Sequence, residues 1–390
     1  MVDESIRFLI IAGEASGDIH GGGLVRALKN YHPNCEFTGL GGDHMRREGV
    51  KTFYDIDRMG AIGVVEILGD LPHYLKVYRK LSYEIKSGRY DAVILIDYPT
   101  LNLRLAKLCK KYSCPALFFI SPQVWAWRQG RIKEIKRTVS KMFVIFPFEE
   151  FLLKKEGVDA EFVGHPFIET VKTSMTRDEA MKKFSLDLKR KTIGLMPGSR
   201  NSELDFLLDL MINSAEEIKK HLKDCQFILP VANTLNPKII LDRLKTNPLE
   251  IRVIEGKSYD VMNCCDFIII ASGSATLEAG LLGCPMVIVY KLNWFTYWLA
   301  RVLVKIKLYG LVNIVAGEEV VTELIQNKAT VKNITKEVLR VMSNSEERES
   351  LRSRLLQVRK SLGDPGVLDR VAVRMIEFLR ERRRNDKISI

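Results

Sequence analysis

Residues 192–222 read TIGLMPGSRNSELDFLLDLMINSAEEIKKHL. The first five form an apolar run of the kind buried on both faces of a parallel sheet. Pro197-Gly198-Ser199-Arg200 then turns the chain, with Gly198 free to take φ > 0. From Glu203 to Leu222 the apolar residues Leu204, Leu207, Leu208, Met211, Ile212, Ala215 and Ile218 recur at helical spacing. Asp205, Asp209, Glu216, Glu217, Lys219 and Lys220 lie largely off that stripe. Strand, turn and amphipathic helix make half of a βαβ unit, and the rest of the chain repeats the theme. Runs at Phe8–Ala12, Phe37–Leu40, Ala92–Ile96, Ala116–Ile120, Met142–Ile145 and Glu161–Val163 form one series of candidate strands. Thr192–Met196, Gln226–Pro230, Ile251–Ile254, Phe267–Ala271 and Met286–Tyr290 form a second. Strands alternating with helices imply an α/β chain with parallel sheets.

The stretch 168–191 between the two series is polar and carries no buried-strand signal, so it reads as a linker with a surface helix. Length agrees, since 390 residues suit two domains of about 150–200 residues. The expected division is 1–168, 169–345 and a helical tail, 346–390, packing back on the first domain. Within the tail, Leu351–Leu379 reads as a long helix or a helix pair, broken near Gly363-Asp364-Pro365-Gly366. Two Rossmann-like halves would bind ligands at the carboxyl ends of their strands, in the cleft between them.

Composition narrows the class. The chain is 46% hydrophobic and 28% charged, without low-complexity tracts or repeats, which excludes a disordered or purely structural protein. A net charge of +12 attracts nucleic acid, anionic lipid or phosphorylated substrates. No zinc-finger spacing or RNA-binding sheet motif is present, so nucleic acid is the weakest of these. Seven cysteines at irregular spacing fit no metal or disulfide framework, and Cys225, Cys264, Cys265 and Cys284 sit beside apolar runs. Reduced thiols and an N-terminus unlike a signal peptide lead to the expectation of a cytoplasmic protein. No run approaches the ~18 apolar residues of a membrane span.

Five segments carry chemistry. Ala12-Gly13-Glu14-Ala15-Ser16-Gly17-Asp18, followed by Gly21-Gly22-Gly23, joins a strand to a helix. Two carboxylates there would repel a phosphate and suit a hydroxylated sugar, although Asp18 could instead be a helix cap. Asp97 ends the run Ile94-Leu95-Ile96, where α/β sheets present ligand groups. A carboxylate there can take a proton from an attacking hydroxyl, or cap the helix containing Asn102. In Ser121-Pro122-Gln123-Val124-Trp125-Ala126-Trp127-Arg128, aromatic rings can stack on sugar or pack in the core, and Arg128 can grip phosphate. At 197–203, Gly198, Ser199 and Arg200 open a helix in the manner of a diphosphate site, with Ser199 or Ser202 as an alternative cap. At 271–279 a small-residue turn offers Ser274 and Thr276 hydroxyls and helix amides to phosphate, with Glu278 one turn on, in reach of a ribose diol.

Two further stretches suit a lipid surface. One, 59–81, carries Ile62, Val64, Val65, Ile67, Leu68, Leu71 and Leu75 before Lys76, Arg79 and Lys80. The other, 294–307, mixes tryptophan, phenylalanine and tyrosine with Arg301, Lys305 and Lys307. Apolar side chains with basic edges fit an interfacial helix, and equally a core or a dimer interface.

The ordered motifs AGEASGD (12–18), GLGGDHM (39–45), MGAIGVVEILGDL (59–71), SPQVWAWRQGR (121–131), FPFEE (146–150), FVGHP (162–166), LMPGSRNSE (195–203), ASGSATLEA (271–279) and NIVAGEE (313–319) resemble the lipid-A-disaccharide synthase family along nearly the whole chain. The more usual Leu-Pro-Asn of that family is Leu311-Val312-Asn313 here, and its Pro-Glu is Thr322-Glu323. The resemblance implies a GT-B fold and an inverting transfer that needs neither metal nor cofactor. It implies UDP-2,3-diacylglucosamine as donor, 2,3-diacylglucosamine 1-phosphate (lipid X) as acceptor and a β-1,6 disaccharide 1-phosphate as product. It also implies a peripheral position on the anionic face of the inner membrane, and it leaves a homodimer open. By position, Asp97 matches the catalytic base. Gly198, Ser199, Arg200, Ser274, Ala275, Thr276, Glu278 and Asn313 match the UDP side. Glu14, Ser16, Asp18, Trp127, Arg128 and Arg301 fall to the acceptor side or its surroundings. Another GT-B-like UDP-sugar enzyme, either a soluble-acceptor transferase or a 2-epimerase, is the alternative. A non-catalytic basic binding protein is the remote one.

Overall fold

The computed structural model describes residues 5–56, 71–126, 130–245, 247–293 and 307–388. The chain forms two compact units, Met1–Pro166 with Asp364–Ile390, and Phe167–Gly363.

The first unit alternates strands and helices: β1 (Ile6–Ala12), α1 (Ala15–Tyr31), β2 (Cys35–Leu40), α2 (Asp43–Arg47), β3 (Lys51–Tyr54), α3 (Leu71–Lys86) and β4 (Ala92–Ile96). There follow α4 (Pro99–Lys111), β5 (Ala116–Phe119), α5 (Arg131–Thr138), β6 (Lys141–Val144), α6 (Pro147–Lys155) and β7 (Ala160–Phe162). The strands run in the order β3-β2-β1-β4-β5-β6-β7 and pair in parallel. Side chains alternate across the sheet. Leu9, Ile11, Val93 and Leu95 face a core shared with α3, α4 and α5. Phe8, Ile10 and Ile94 face one shared with α1 and the helix Val367–Ile388. Fully burying each such side chain contributes about 1.5–3 kcal/mol, which fixes the sheet and, with it, the loops at its carboxyl edge.

The second unit holds helices α7 (Phe167–Thr170) and α8 (Arg177–Lys183) ahead of β8 (Lys191–Met196), α9 (Asn201–His221), β9 (Cys225–Val231), α10 (Pro237–Leu244) and β10 (Ile251–Glu255). Then come α11 (Ser258–Cys264), β11 (Phe267–Ala271), α12 (Ser274–Leu281), β12 (Met286–Tyr290) and β13 (Glu323–Ile325). Its parallel sheet runs β10-β9-β8-β11-β12-β13. The eleven expected strands are present within two residues at each end. The two that sequence reading passes over, β3 and β13, are four and three residues long, lie at sheet edges and are partly exposed. An edge strand lacks the continuous apolar run that marks a central one.

The tail divides differently from the expected 346–390. The helix Ser345–Ser361 stays with the second unit, where Leu351, Leu355 and Val358 are buried and it packs on α12. Gly363 and Gly366, both at positive φ, break the chain, and only the helix that follows joins the first unit. No helix among the described residues is long and apolar enough to cross a membrane.

Candidate functional site

In both sheets the strand order reverses direction at one pair, β1/β4 and β8/β11, and loops leaving such a pair at the carboxyl edge bound the usual ligand crevice. In the second unit that edge holds a cavity of about 350 Å³ lined by Gly198, Ser199, Arg200, Glu203, Ser274, Ala275 and Glu278 over a floor that includes Met196, Ile270 and Tyr290. Its size is at the lower end of small-molecule sites. β8 pairs with β11, so the turns 197–200 and 272–275 stand side by side.

Gly198 has φ +119°, and a Cβ there would lie 2.0 Å from Glu203 Oε2. The same oxygen accepts the N–H groups of Ser199 at 2.7 Å and Arg200 at 3.3 Å. Thr234 Oγ1 donates to the Ser199 carbonyl at 2.6 Å. The turn is therefore fixed from both sides, while the Arg200 side chain is 80% exposed. Neither Ser199 nor Ser202 caps α9; its N-cap is Arg200, and Glu203 closes the first turn. At the second turn, α12 starts with no side-chain cap, leaving its terminal dipole directed at the cavity. Burial pushes the Glu278 carboxyl up, against hydrogen bonds from Ser274 and Tyr259 that lower it.

Two expected donor-side residues serve the protein itself. Thr276 is fully buried; its hydroxyl donates to the Gly273 carbonyl at 2.7 Å and accepts the Leu311 N–H at 3.1 Å. Asn313 is also fully buried. Its amide nitrogen donates to Val321 O and Glu323 Oε1, both at 2.8 Å, and its oxygen accepts the Val320 and Val321 N–H groups at 2.9 and 3.0 Å. All four hydrogen bonds available to a carboxamide are thus made within the chain. Thr276 and Asn313 shape the site and do not face a ligand. Glu203, Ser258, Met262 and Tyr290, which sequence reading did not single out for binding, line the cavity. For Glu203 a signal existed, because glutamate at the third helical position commonly reaches back over the helix start.

In the first unit Asp97 and Tyr98 both adopt left-handed backbone at the end of β4, with φ 46° and 45°. Ile120, a β-branched residue at the end of neighbouring β5, has φ 68°. Such strain is costly for residues with side chains and concentrates at functional sites. Asn102 holds the elbow: it is fully buried, and its Nδ2 donates to the Ile96 carbonyl at 3.1 Å and the Asp97 carbonyl at 2.7 Å. A Cβ on Gly13 would stand 2.3 Å from the Tyr98 ring, so that glycine admits the ring that braces the elbow. Asp97 does not cap α4, whose N-cap is Tyr98. Burial raises the Asp97 carboxyl to about 6, the charge of Glu14 adds to this, and the Tyr98 N–H acts in the opposite sense.

Glu14 and Ser16 are exposed at the start of α1. Asp18 is not available to a ligand: it is 2% exposed, and its carboxylate accepts the N–H groups of Gly42, His44 and Met45 at 2.7, 2.9 and 3.1 Å. It caps α2, not its own helix. The following glycines serve packing, with Gly21 against Met45, Gly22 against His44 and Gly23 against Leu368.

The same edge holds a buried cluster outside the expected set. Glu149, 2% exposed, accepts the Trp125 Nε1–H at 3.1 Å and the Phe146 N–H at 3.3 Å, and burial lifts its carboxyl to about 8. Phe146 stacks on Phe148 at 5.5 Å and lies 5.0 Å from His165, whose imidazole burial pushes down to about 3. FPFEE thus anchors the 121–126 loop through Trp125, and His165 of FVGHP packs on Phe146 behind it. Trp125 is tied into this cluster. Trp127, Arg128, Arg301, Ile62, Val64, Val65, Ile67 and Leu68 lie outside the described residues, as does the side chain of Leu71. Leu75 is 39% exposed on α3, beside exposed Lys76 and Arg79. Among the described residues no three His, Cys, Asp or Glu side chains gather into a metal site.

A family model described as lipid-A-disaccharide synthetase matches residues 8–366. The lipid-A-disaccharide synthase of Geobacter sulfurreducens is 42% identical over 375 residues, 96% of this chain and 98% of that protein. Among solved structures, a UDP-GlcNAc 2-epimerase from Neisseria meningitidis bound to UDP-GlcNAc superposes with a TM-score of 0.58 at 14% identity, over 96% of this chain and 100% of that one. MurG of Acinetobacter baumannii gives a TM-score of 0.57 at 14% identity with the same coverage. These structures show the fold alone, and it is GT-B.

Proposed function

The chain belongs to the lipid-A-disaccharide synthetase family of glycosyltransferases, and from that premise we propose that it joins UDP-2,3-diacylglucosamine to 2,3-diacylglucosamine 1-phosphate with inversion. The acceptor 6-hydroxyl attacks the anomeric carbon of the donor. Its oxygen forms the β-1,6 bond as the bond from that carbon to the UDP oxygen breaks. The hydroxyl proton passes to the Asp97 carboxylate, and UDP departs carrying the negative charge.

The observation that carries this reading is the strained Asp97 elbow, with a carboxyl at about 6. Such a group is ionised at neutral pH and still basic enough to take a proton. On the donor side, Arg200 and the uncapped start of α12 would meet the charge that develops on UDP, and Glu278 would receive the ribose diol. Removing one donor of this kind typically costs about 2.7–4 kcal/mol of barrier. The exposed Leu75, Lys76 and Arg79 of α3 favour a working position at the anionic cytoplasmic surface of the inner membrane.

Asp97→Asn is the test. The full chain is incubated with both lipids, and the disaccharide 1-phosphate is measured by mass spectrometry. The variant is expected to lose transfer by at least about 10³-fold while UDP affinity, measured by calorimetry, stays within about twofold. Full turnover would remove Asp97 from the chemistry. The epimerase-like fold neighbours suggest a second check: wild-type enzyme should release UDP only when acceptor is present, and UDP-sugar epimerisation without acceptor would reverse the assignment.

A further inference from the structure

Two of the backbone amides best placed to bind a diphosphate at the β8–α9 turn already hold an anion, and that anion belongs to the chain. Glu203 Oε2 accepts Ser199 N–H at 2.7 Å and Arg200 N–H at 3.3 Å. Its Oε1 stands 3.9 Å from Arg200 Nη1. The Glu203 side chain is 21% exposed and lines the cavity, so its charge is only partly screened. Gly198 leaves the space this carboxylate fills. Nothing in a plain capping turn requires the carboxylate to lie within a cavity and beside Arg200, which lines it too.

We propose that Glu203 is a positioning residue that competes with the donor diphosphate for the Ser199 and Arg200 amides and for the Arg200 guanidinium. This rests on the reading that the cavity takes UDP. In the absence of nucleotide, Glu203 keeps the turn closed and holds Arg200 near the cavity mouth. When a UDP-sugar enters, two anions cannot share the same donors, and like charges a few ångströms apart repel in a half-buried pocket. The carboxylate therefore yields its place to a phosphate oxygen. After transfer it returns and weakens the hold on UDP, which favours product release.

The test compares UDP with uridine, which lacks the diphosphate, by calorimetry on the full-length wild type and on E203Q. The amide of that variant accepts the same two N–H bonds without the charge, so the turn is retained. UDP is expected to bind E203Q about tenfold more tightly, equivalent to about 1.4 kcal/mol, with uridine affinity unchanged. Equal or weaker UDP binding by E203Q, or a parallel change for uridine, overturns the inference and leaves Glu203 a support for the turn. A wild type that binds UDP no better than uridine removes the diphosphate reading and the inference together. A crystal structure of wild type with UDP gives an independent check. The carboxylate should have left Ser199 N–H to a phosphate oxygen, and the 2.7 Å bond persisting beside bound UDP would refute the competition.

Discussion

Asp97 sits at a strand end in left-handed backbone, a conformation uncommon for residues with a side chain but adopted more readily by aspartate and asparagine than by most. Its carboxyl is raised from 3.8 to about 6, first by burial and then by Glu14. Two consequences follow with definite signs. As a base it must be ionised, so kcat/KM should rise about tenfold per pH unit below 6 and level off above it. For stability the sign is opposite. The folded chain holds this proton more tightly than the unfolded chain does, so stability falls as pH rises from about 4 to 6 and stays lower above that. A shift of this size corresponds to about 2–3 kcal/mol at neutral pH. Asp97→Asn should therefore melt higher than wild type at pH 7, by roughly 5–10 °C, with the gap closing near pH 4. Thermal melts across that range check it, and a gap that does not change with pH would mean that the buried charge is not its source. The proposed base would be among the residues least favourable to folding, the balance expected where function constrains a site.

At the scale of elements, several polar residues hold turns in place without facing a ligand. Asp18 fixes the start of α2, Asn102 the end of β4, and Asn313 the loop that runs to β13. Asn313→Ala should leave the Val321 N–H and carbonyl without their Asn313 partners, at about 1–3 kcal/mol each, while the Val320 N–H keeps the Glu318 carbonyl at 3.0 Å. The melting temperature should drop by roughly 5–15 °C, while UDP affinity measured well below the transition stays within about threefold. A large loss of UDP affinity in a variant of unchanged stability would return Asn313 to the ligand contacts. These residues also mark how far sequence reading reaches. The central strands and the turns at 197–200 and 272–275 were legible, because buried runs and small-residue turns leave local patterns. Whether a polar residue in such a turn faces outward or inward was not. That depends on which backbone groups the fold brings to it: Asn313 faces amides seven and eight residues on, and Asp18 faces amides from 24 to 27 residues away. Glu149 escaped for the same reason, since only the folded sheet brings Trp125 beside it.

The whole molecule repeats one doubly wound plan, and each copy holds its candidate site residues where its strand order reverses. The periodicity of 351–379 showed helical structure but not its destinations, because an apolar stripe does not name the surface that covers it. In the folded chain the division falls at Gly363. The segment 167–363 contains all six strands of its sheet, every described residue that lines the cavity and the helix Ser345–Ser361 that covers α12. It has its own core and should fold alone. Residues 1–166 should not, because deleting Val367–Ile388 removes Val367, Val371, Met375, Ile376 and Leu379 from the core built on Phe8, Ile10 and α1. Expressed separately, 167–363 is expected to melt cooperatively and to bind UDP within about threefold of the full chain, with no transfer activity. Residues 1–166 should aggregate, and a chain that carries 364–390 fused after residue 166 through a short flexible linker should be recovered as a folded species. Size-exclusion chromatography, circular dichroism and calorimetry with UDP decide the matter. If 167–363 folds but does not bind UDP, the nucleotide depends on groups outside this unit, and the cavity at β8/β11 is not a sufficient donor site.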